Sequence, residues 1–249
     1  MMKAIILAAG VGRRFHSSGS KLPKCLLKVR GRTLLERGIF ALTAAGVRNV
    51  VVVVGYCARA VIDEIGDRCG TATVQYITNN EYTKGAILSL WAARNEVDGD
   101  LLIMDADVLF PVSMIRRLVN SEQPNCFLLD SASSNTGEEQ MLLTRKGRVE
   151  TIIRGGSGDY DLVGESVGFL RICHDDAQIL FAIIEEFVND GQDNIEHEEA
   201  YPKFLAKCRV GFERVDDLPW TEIDFPEDLE RAEKEIMPKI DSLDRPSTG

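Results

Sequence analysis

The sequence predicts an α/β fold: a three-layer α/β/α sandwich around a Rossmann-like, mixed but mainly parallel sheet. Three observations carry that expectation. Short apolar runs such as Asn49–Val54, with five consecutive valines, fit strands buried on both faces. These runs alternate with segments of helical period as far as Met104, the spacing of βαβ units. The 249 residues, 45% hydrophobic and 27% charged, have the composition of an ordinary globular chain.

Taken in order, Lys3–Ala8 reads as a first buried strand, followed by a Gly-rich, basic segment to about Gly31. Thr33–Ala45 reads as a helix, with Thr33 as cap, Glu36 at the capping-box position and Gly46 just past the end. Asn49–Val54 is a strand, Ala58–Ile65 a helix, Ala72–Ile77 a strand, Gly85–Glu96 a helix and Leu101–Met104 a fourth strand. Beyond it, Asn125–Asp130, Gln140–Thr144, Val149–Ile153 and Ser166–Ile172 read as strands without long helices between them, so antiparallel pairing is expected there. Asp175–Val188 and Glu198–Lys207 are helical, Val210–Val215 and Thr221–Asp224 are short strands, and Pro226 opens a last helix to about Ile236.

No linker divides the chain, so residues 1–240 are expected to form one domain and 241–249 a disordered tail. No stretch approaches the roughly 20 apolar residues of a membrane helix, and Ala4–Ala9 is too short for a signal-peptide core. The expectation is a cytoplasmic protein without membrane insertion. Its six cysteines lack zinc-ligand spacing and read as buried thiols. The sequence does not indicate an oligomeric state.

The net charge of -10 argues against a nucleic-acid partner. Yet Arg13–Arg37 holds eight basic residues and one acid, a local charge of +7 that leaves -17 on the remainder. A basic island in an acidic protein points to a small anion such as a phosphate. Leu7, Ala8, Ala9, Gly10, Val11, Gly12, Arg13 and Arg14 directly follow the first strand, where small residues let backbone N–H groups reach phosphate oxygens. The dinucleotide fingerprint fails because Phe15 stands where its last Gly belongs. The P-loop fails because Ser20 separates Gly19 from Lys21.

Leu7–Leu26 resembles the nucleotidyltransferase signature, roughly L-A-A-G-x-G-x-R, a variable loop, then P-K at Pro23-Lys24. Gly31–Glu36 continues it with the G-x-x-L-L-E helix start. The resemblance is to sugar-phosphate nucleotidyltransferase-like proteins, nearest in look to bacterial cytidylyltransferases acting on phosphocholine or aminoethylphosphonate. It implies that Gly10, Gly12 and Arg14 line the triphosphate with help from Arg13, and that Lys24 holds the α-phosphate. Lys21 offers a second cation or is a plain loop lysine.

Asp105 and Asp107 follow the fourth strand, at the edge where open α/β sheets bind ligands, and in extended backbone would share a face. The resemblance gives Asp107 to Mg²⁺ and leaves Asp105 to support the loop. Glu222-Ile223-Asp224-Phe225-Pro226-Glu227-Asp228-Leu229 resembles the family's closing motif, making Asp224 the second metal ligand, with Glu222 in reserve. Asp224 as cap of the helix at Pro226 is the alternative. The segment after Asn79 resembles the base-reading region of the phosphocholine-type enzymes, with Gly85 and Ser89 as nucleotide candidates. Lys84-Gly85 departs from their Asn pair and looks more like the sugar- and inositol-phosphate branches.

For the acceptor, Glu165, Trp220, Glu198 and Tyr160 are the candidates: a quaternary ammonium wants aromatic faces and carboxylates. His197 reads as an exposed histidine without a role. The resemblance implies an enzyme that uses CTP and Mg²⁺ to nucleotidylate a small phosphomonoester or phosphonate, phosphocholine-like, releasing pyrophosphate. A sugar-1-phosphate uridylyl- or thymidylyltransferase is the alternative enzyme, and a catalytically silent nucleotide sensor the alternative of another class.

Overall fold

The computed structural model describes residues 2–16 and 22–244. Four parallel strands form its centre: β1 (Lys3–Ala8), β2 (Asn49–Val54), β3 (Ala72–Thr78) and β4 (Leu101–Asp105). β1 lies between β2 and β4, with Ile5 opposite both Val51 and Ile103, and β3 flanks β2. Side-chain alternation sorts these residues to two faces. Ile6, Val52 and Met104 pack with Leu35 and Ile39 of α1 (Leu34–Ala44) and Val61 of α2 (Ala58–Ile65). Ile5, Val51 and Ile103 pack on the opposite face with Leu90 of α3 (Ile87–Ala92) and with two later helices. Each such fully buried Leu or Ile contributes roughly 1.5–3 kcal/mol. The expected three-layer sandwich forms, and the valine run is apolar throughout because both faces of β2 are covered.

α1 begins as its sequence predicts. The Thr33 hydroxyl accepts from Glu36 N at 3.0 Å, and Thr33 N donates to the Glu36 carboxylate at 2.7 Å. Between β4 and the second half lies a helix the sequence analysis does not assign, α4 (Val112–Val119). Its signal is Pro111 followed by buried Val112, Ile115 and Leu118 at three-residue spacing.

The second half is antiparallel or mixed, as expected. It comprises β5 (Cys126–Asp130), β6 (Gln140–Arg145), β7 (Arg148–Arg154), β8 (Leu162–Ile172) and β9 (Gly211–Arg214). β8 starts four residues earlier than the sequence suggests and is shared among neighbours. Leu162–Glu165 pair with β6, Phe169–Ile172 pair with β4, and β5 pairs with both halves. The ladder shifts register between Ser166 and Leu170, where Gly168 takes φ +81°. α5 (His174–Asn189) and α6 (Tyr201–Lys207) complete the second helical layer.

The C-terminal helix is longer than predicted. α7 (Pro226–Arg231) widens through Ala232–Ile236 and continues as α8 (Met237–Asp244). Buried Met237 and Ile240 anchor it against Val29, Leu34 and Leu109. The expected disordered tail at 241–249 therefore needs correction at its start. Asp241 to Asp244 are helical, and both Asp244 oxygens accept from Val112 N at 3.2 Å, capping α4. Residues 245–249 lie outside the described residues.

Candidate active site

The C-terminal ends of β1 and β4 open onto one cleft lined by Leu7, Ala8, Gly10, Gly12, Pro23, Lys24, Cys25, Ala106 and Asp107. Six of the predicted residues thus meet there: Leu7, Ala8, Gly10, Gly12, Lys24 and Asp107. Ala9 is buried, close under Gly55. Arg13 and Arg14 stand in the short helical turn Arg13–His16, and Lys21 lies outside the described residues. A Cβ on Gly10 would meet nothing within 4 Å, so its backbone faces open space. Gly12 differs: at φ +63° its backbone disfavours a side chain, and a Cβ would lie 2.9 Å from Lys24 Cγ. Gly12→Ala is therefore expected to displace Lys24 and, on the resemblance drawn from the sequence, to weaken nucleoside triphosphate binding at least about tenfold, read by calorimetric titration.

Lys24 is the hub. Its ammonium donates to Asp107 at 3.1 Å and pairs closely with Asp224. Burial alone would lower its pKa, but Asp107 and Asp224 outweigh burial and raise it. Lys24 is thus a permanent cation, 15% exposed at its side chain. Asp224 also accepts from Arg14 at 2.9 Å. The neighbouring Cys25 thiol is pushed up to about 12 by burial and by Asp107, so it stays protonated. Cys25, Cys126 and Cys208 are buried as expected, but Cys57 is exposed and Cys69 and Cys173 are only half-buried.

A small antiparallel pair joins residues distant in sequence. Thr221 lies opposite Leu109 and Glu222 opposite Val108, and Ile223 N donates to Asp107 O at 3.0 Å. This ladder brings Asp107, Glu222 and Asp224 together, with one carboxylate oxygen of each within 4.8 Å of the others. Asp224 does not cap α7. Asp228 does so, accepting from Asp224 N at 3.1 Å and Phe225 N at 2.9 Å, which leaves the Asp224 side chain to Lys24 and Arg14. Burial, then Asp107 and Asp224, push the Glu222 carboxyl up to about 8. Three clustered carboxylates, one of them reluctant to ionise, form an all-oxygen donor set that fits Mg²⁺.

The expectation that Asp105 and Asp107 share a face is overturned. β4 ends at Asp105 and the chain bends through Ala106 and Asp107, so period-two alternation stops between them. Asp105 lies with His197 and Glu198 instead. Its carboxyl is raised well above the ordinary range by burial, then by Glu198 and Asp107. His197 is not exposed: it is 4% accessible, and its ring meets Tyr201 edge-on at 5.6 Å.

Two further candidates have structural explanations. A Cβ on Gly85 would lie 2.0 Å from Ile195 O, and Gly85 N donates to Asp193 O, so this Gly allows two backbones to touch. Ser89 is buried and accepts from the Asn79 amide at 3.1 Å. Neither lines the cleft. The four acceptor candidates separate. Glu165 stands in register with Asp130, and Asp130 accepts from the Trp220 indole N–H at 2.8 Å. Asp130, which the sequence analysis does not single out, therefore links the two. Trp220 packs partly against the core. Glu198 belongs to the Asp105 group, and Tyr160 lies beneath the Arg145 guanidinium, 5.2 Å from it.

The MobA-like NTP transferase domain matches residues 4–161, well over half of the chain. The chain belongs to this family. Among curated relatives, this chain is 33% identical to the 2-aminoethylphosphonate cytidylyltransferase of Lancefieldella rimae over 66% of this chain and 65% of that protein. It is 23% identical to the CTP:phosphoglutamine cytidylyltransferase of Campylobacter jejuni over 92% of this chain and 98% of that protein. The chain spans 19%, 51% and 65% of the length of three curated relatives it matches. Its fold is that of the CTP:phosphocholine cytidylyltransferase of Streptococcus pneumoniae, with TM-score 0.79 and 21% identity over 94% of this chain and 98% of that one. The recognition and the fold class expected from the sequence both hold. Among the described residues, no helix is long and apolar enough to cross a membrane.

Proposed function

We propose that this protein is a Mg²⁺-dependent cytidylyltransferase that joins CMP from CTP to a small phosphomonoester or phosphonate bearing an amine, phosphocholine-like. The observation that carries the reading is the Lys24 ammonium, fixed between Asp107 and Asp224 at the mouth of the glycine loop. An acceptor phosphoryl oxygen attacks the α-phosphorus of CTP. The new P–O bond forms as the bond to the β-phosphate oxygen breaks, and pyrophosphate leaves with the electron pair. The acceptor is already an anion, so no protein nucleophile or general base is needed. Lys24 and Arg14 supply positive charge where negative charge develops on the phosphoryl oxygens, and the glycine loop positions the triphosphate. Asp107 and Asp224, with Glu222 beside them, would hold Mg²⁺, which neutralises triphosphate charge when bound.

The choice of CTP is supported by the cytidylyltransferases among the relatives. The amine is supported by an acidic wall. Glu165, Asp130 and Glu222 lie close enough that Asp130 raises Glu165, and Glu165 raises Glu222. Such a wall suits an ammonium group and repels a bare sugar phosphate.

Burial, then Glu139 and Asp130, push the Glu165 carboxyl up to about 7 against a hydrogen bond from Ser133. Below that pH the carboxyl is neutral and a poor partner for an ammonium. The acceptor KM is therefore expected to fall as pH rises from about 6 to 8.5, and Glu165→Gln to flatten the profile. A pH-independent wild-type KM removes Glu165 from the acceptor pocket. The reading as a whole is tested by pyrophosphate release, crossing the four NTPs and dTTP with phosphocholine, aminoethylphosphonate, inositol-1-phosphate and glucose-1-phosphate, with Mg²⁺ and with EDTA. A metal-dependent signal confined to CTP and an aminated acceptor is expected. A signal with UTP or dTTP and glucose-1-phosphate overturns the reading.

A further inference from the structure

The mechanism leaves a second cluster unused. Asp105 at the end of β4 meets His197 and Glu198, just before α6, and one ligand atom of each lies within 4.8 Å of the other two. His197 is 4% exposed, and its Nδ1 is buried without a hydrogen-bond partner. The Glu198 Oε2 is likewise buried and unpartnered, although it lies 3.1 Å from that nitrogen. The two atoms stand at ion-pairing distance but form no hydrogen bond with each other. Buried polar atoms are ordinarily satisfied, and two that converge without bonding mark a site shaped for a third party. The site is also built from behind. Gly168, at φ +81°, leaves the space that Asp105 Oδ2 occupies, since a Cβ there would stand 2.3 Å from that oxygen.

We propose that Asp105, His197 and Glu198 bind a divalent transition-metal ion, of the Zn²⁺, Mn²⁺ or Co²⁺ class, at a site separate from the Asp107–Asp224 centre. One imidazole and two carboxylates suit these ions, whereas Mg²⁺ prefers the all-oxygen set around Asp107. Two anionic oxygens offset the charge of the ion, and the imidazole gains the partner it lacks. The ion would tie the end of the central strand to the segment that leads into α6. This inference does not depend on the identity of the nucleotide or acceptor, because its test reads metal binding alone.

The test is titration of the metal-stripped full chain with Co²⁺ in excess Mg²⁺, which occupies the oxygen-only centre. Visible absorption reports Co²⁺ taken up by protein ligands, strongest when the ion is four- or five-coordinate. Dependence on His197 identifies the site, and Zn²⁺ displacement of the signal gives the affinity. The expected result is one equivalent of Co²⁺, with binding weakened at least about tenfold in both His197→Gln and Glu198→Gln and unchanged in Glu165→Gln. Glu198→Gln conserves shape and keeps the test decisive if the buried His197 variant fails to fold. Absence of a visible Co²⁺ signal, or a signal that Glu198→Gln leaves intact, overturns the proposal.

Discussion

Lys24→Ala is expected to cut turnover at least about a hundredfold while the fold survives, the scale of losing one charge-stabilising donor in a preorganised site. The side chain bridges Asp107 and Asp224 and packs over Gly12, so alanine removes both the cation and its stem. Lys24→Met separates the two effects, because it restores the stem without the charge. Both variants are expected to be equally slow in pyrophosphate release, with circular dichroism spectra like that of the parent. Recovery of turnover in Lys24→Met would show that packing, not charge, is what Lys24 supplies.

Asp224→Asn is expected to have a comparable effect, again at least about a hundredfold. Asp224 is the carboxylate that Lys24 and Arg14 share, and one of the three clustered acids. The helix behind it starts with Asp228 as its hydrogen-bonding partner, so the isosteric amide is expected to leave that helix in place. Turnover at saturating Mg²⁺, measured alongside thermal melting, checks this. Near-normal turnover would take Asp224 out of the site, and an early melt would make it part of the scaffold instead.

Lys24 and Asp224 were singled out because Leu7–Leu26 and Glu222–Leu229 resemble the nucleotidyltransferase signature and its closing motif. The local pattern of an acid ahead of Pro226 suggested only a helix cap, a part that Asp228 plays instead. The sandwich was legible directly, since strands covered on both faces carry uninterrupted apolar runs. The shared face expected of Asp105 and Asp107 failed because the chain bends at Ala106–Asp107, just past the strand that holds Asp105, and alternation does not encode that bend. His197 was misread because it sits beside Asp105, far away in sequence, and against the ring of Tyr201, neither of which a local pattern reveals. Gly85 carried a signal, a glycine opening a helix, but that signal fits a backbone contact as well as a ligand. The extent of the last helix was hidden because Asp241 and Asp244 look like a polar tail. Only their partners, Arg30 and Val112 N, explain their order.

The ladder between Val108–Leu109 and Thr221–Glu222 has a consequence for biosynthesis. Every strand of the central sheet precedes Thr221 in the chain. A nascent polypeptide that has emerged as far as Arg214 therefore holds the whole sheet and the glycine loop, but only one of the three clustered carboxylates. Domains form from the N-terminus as they leave the ribosome. The acidic cluster is thus completed only once Thr221–Asp224 have been translated, and a product terminated before them would keep the glycine loop but lack two of the three clustered carboxylates.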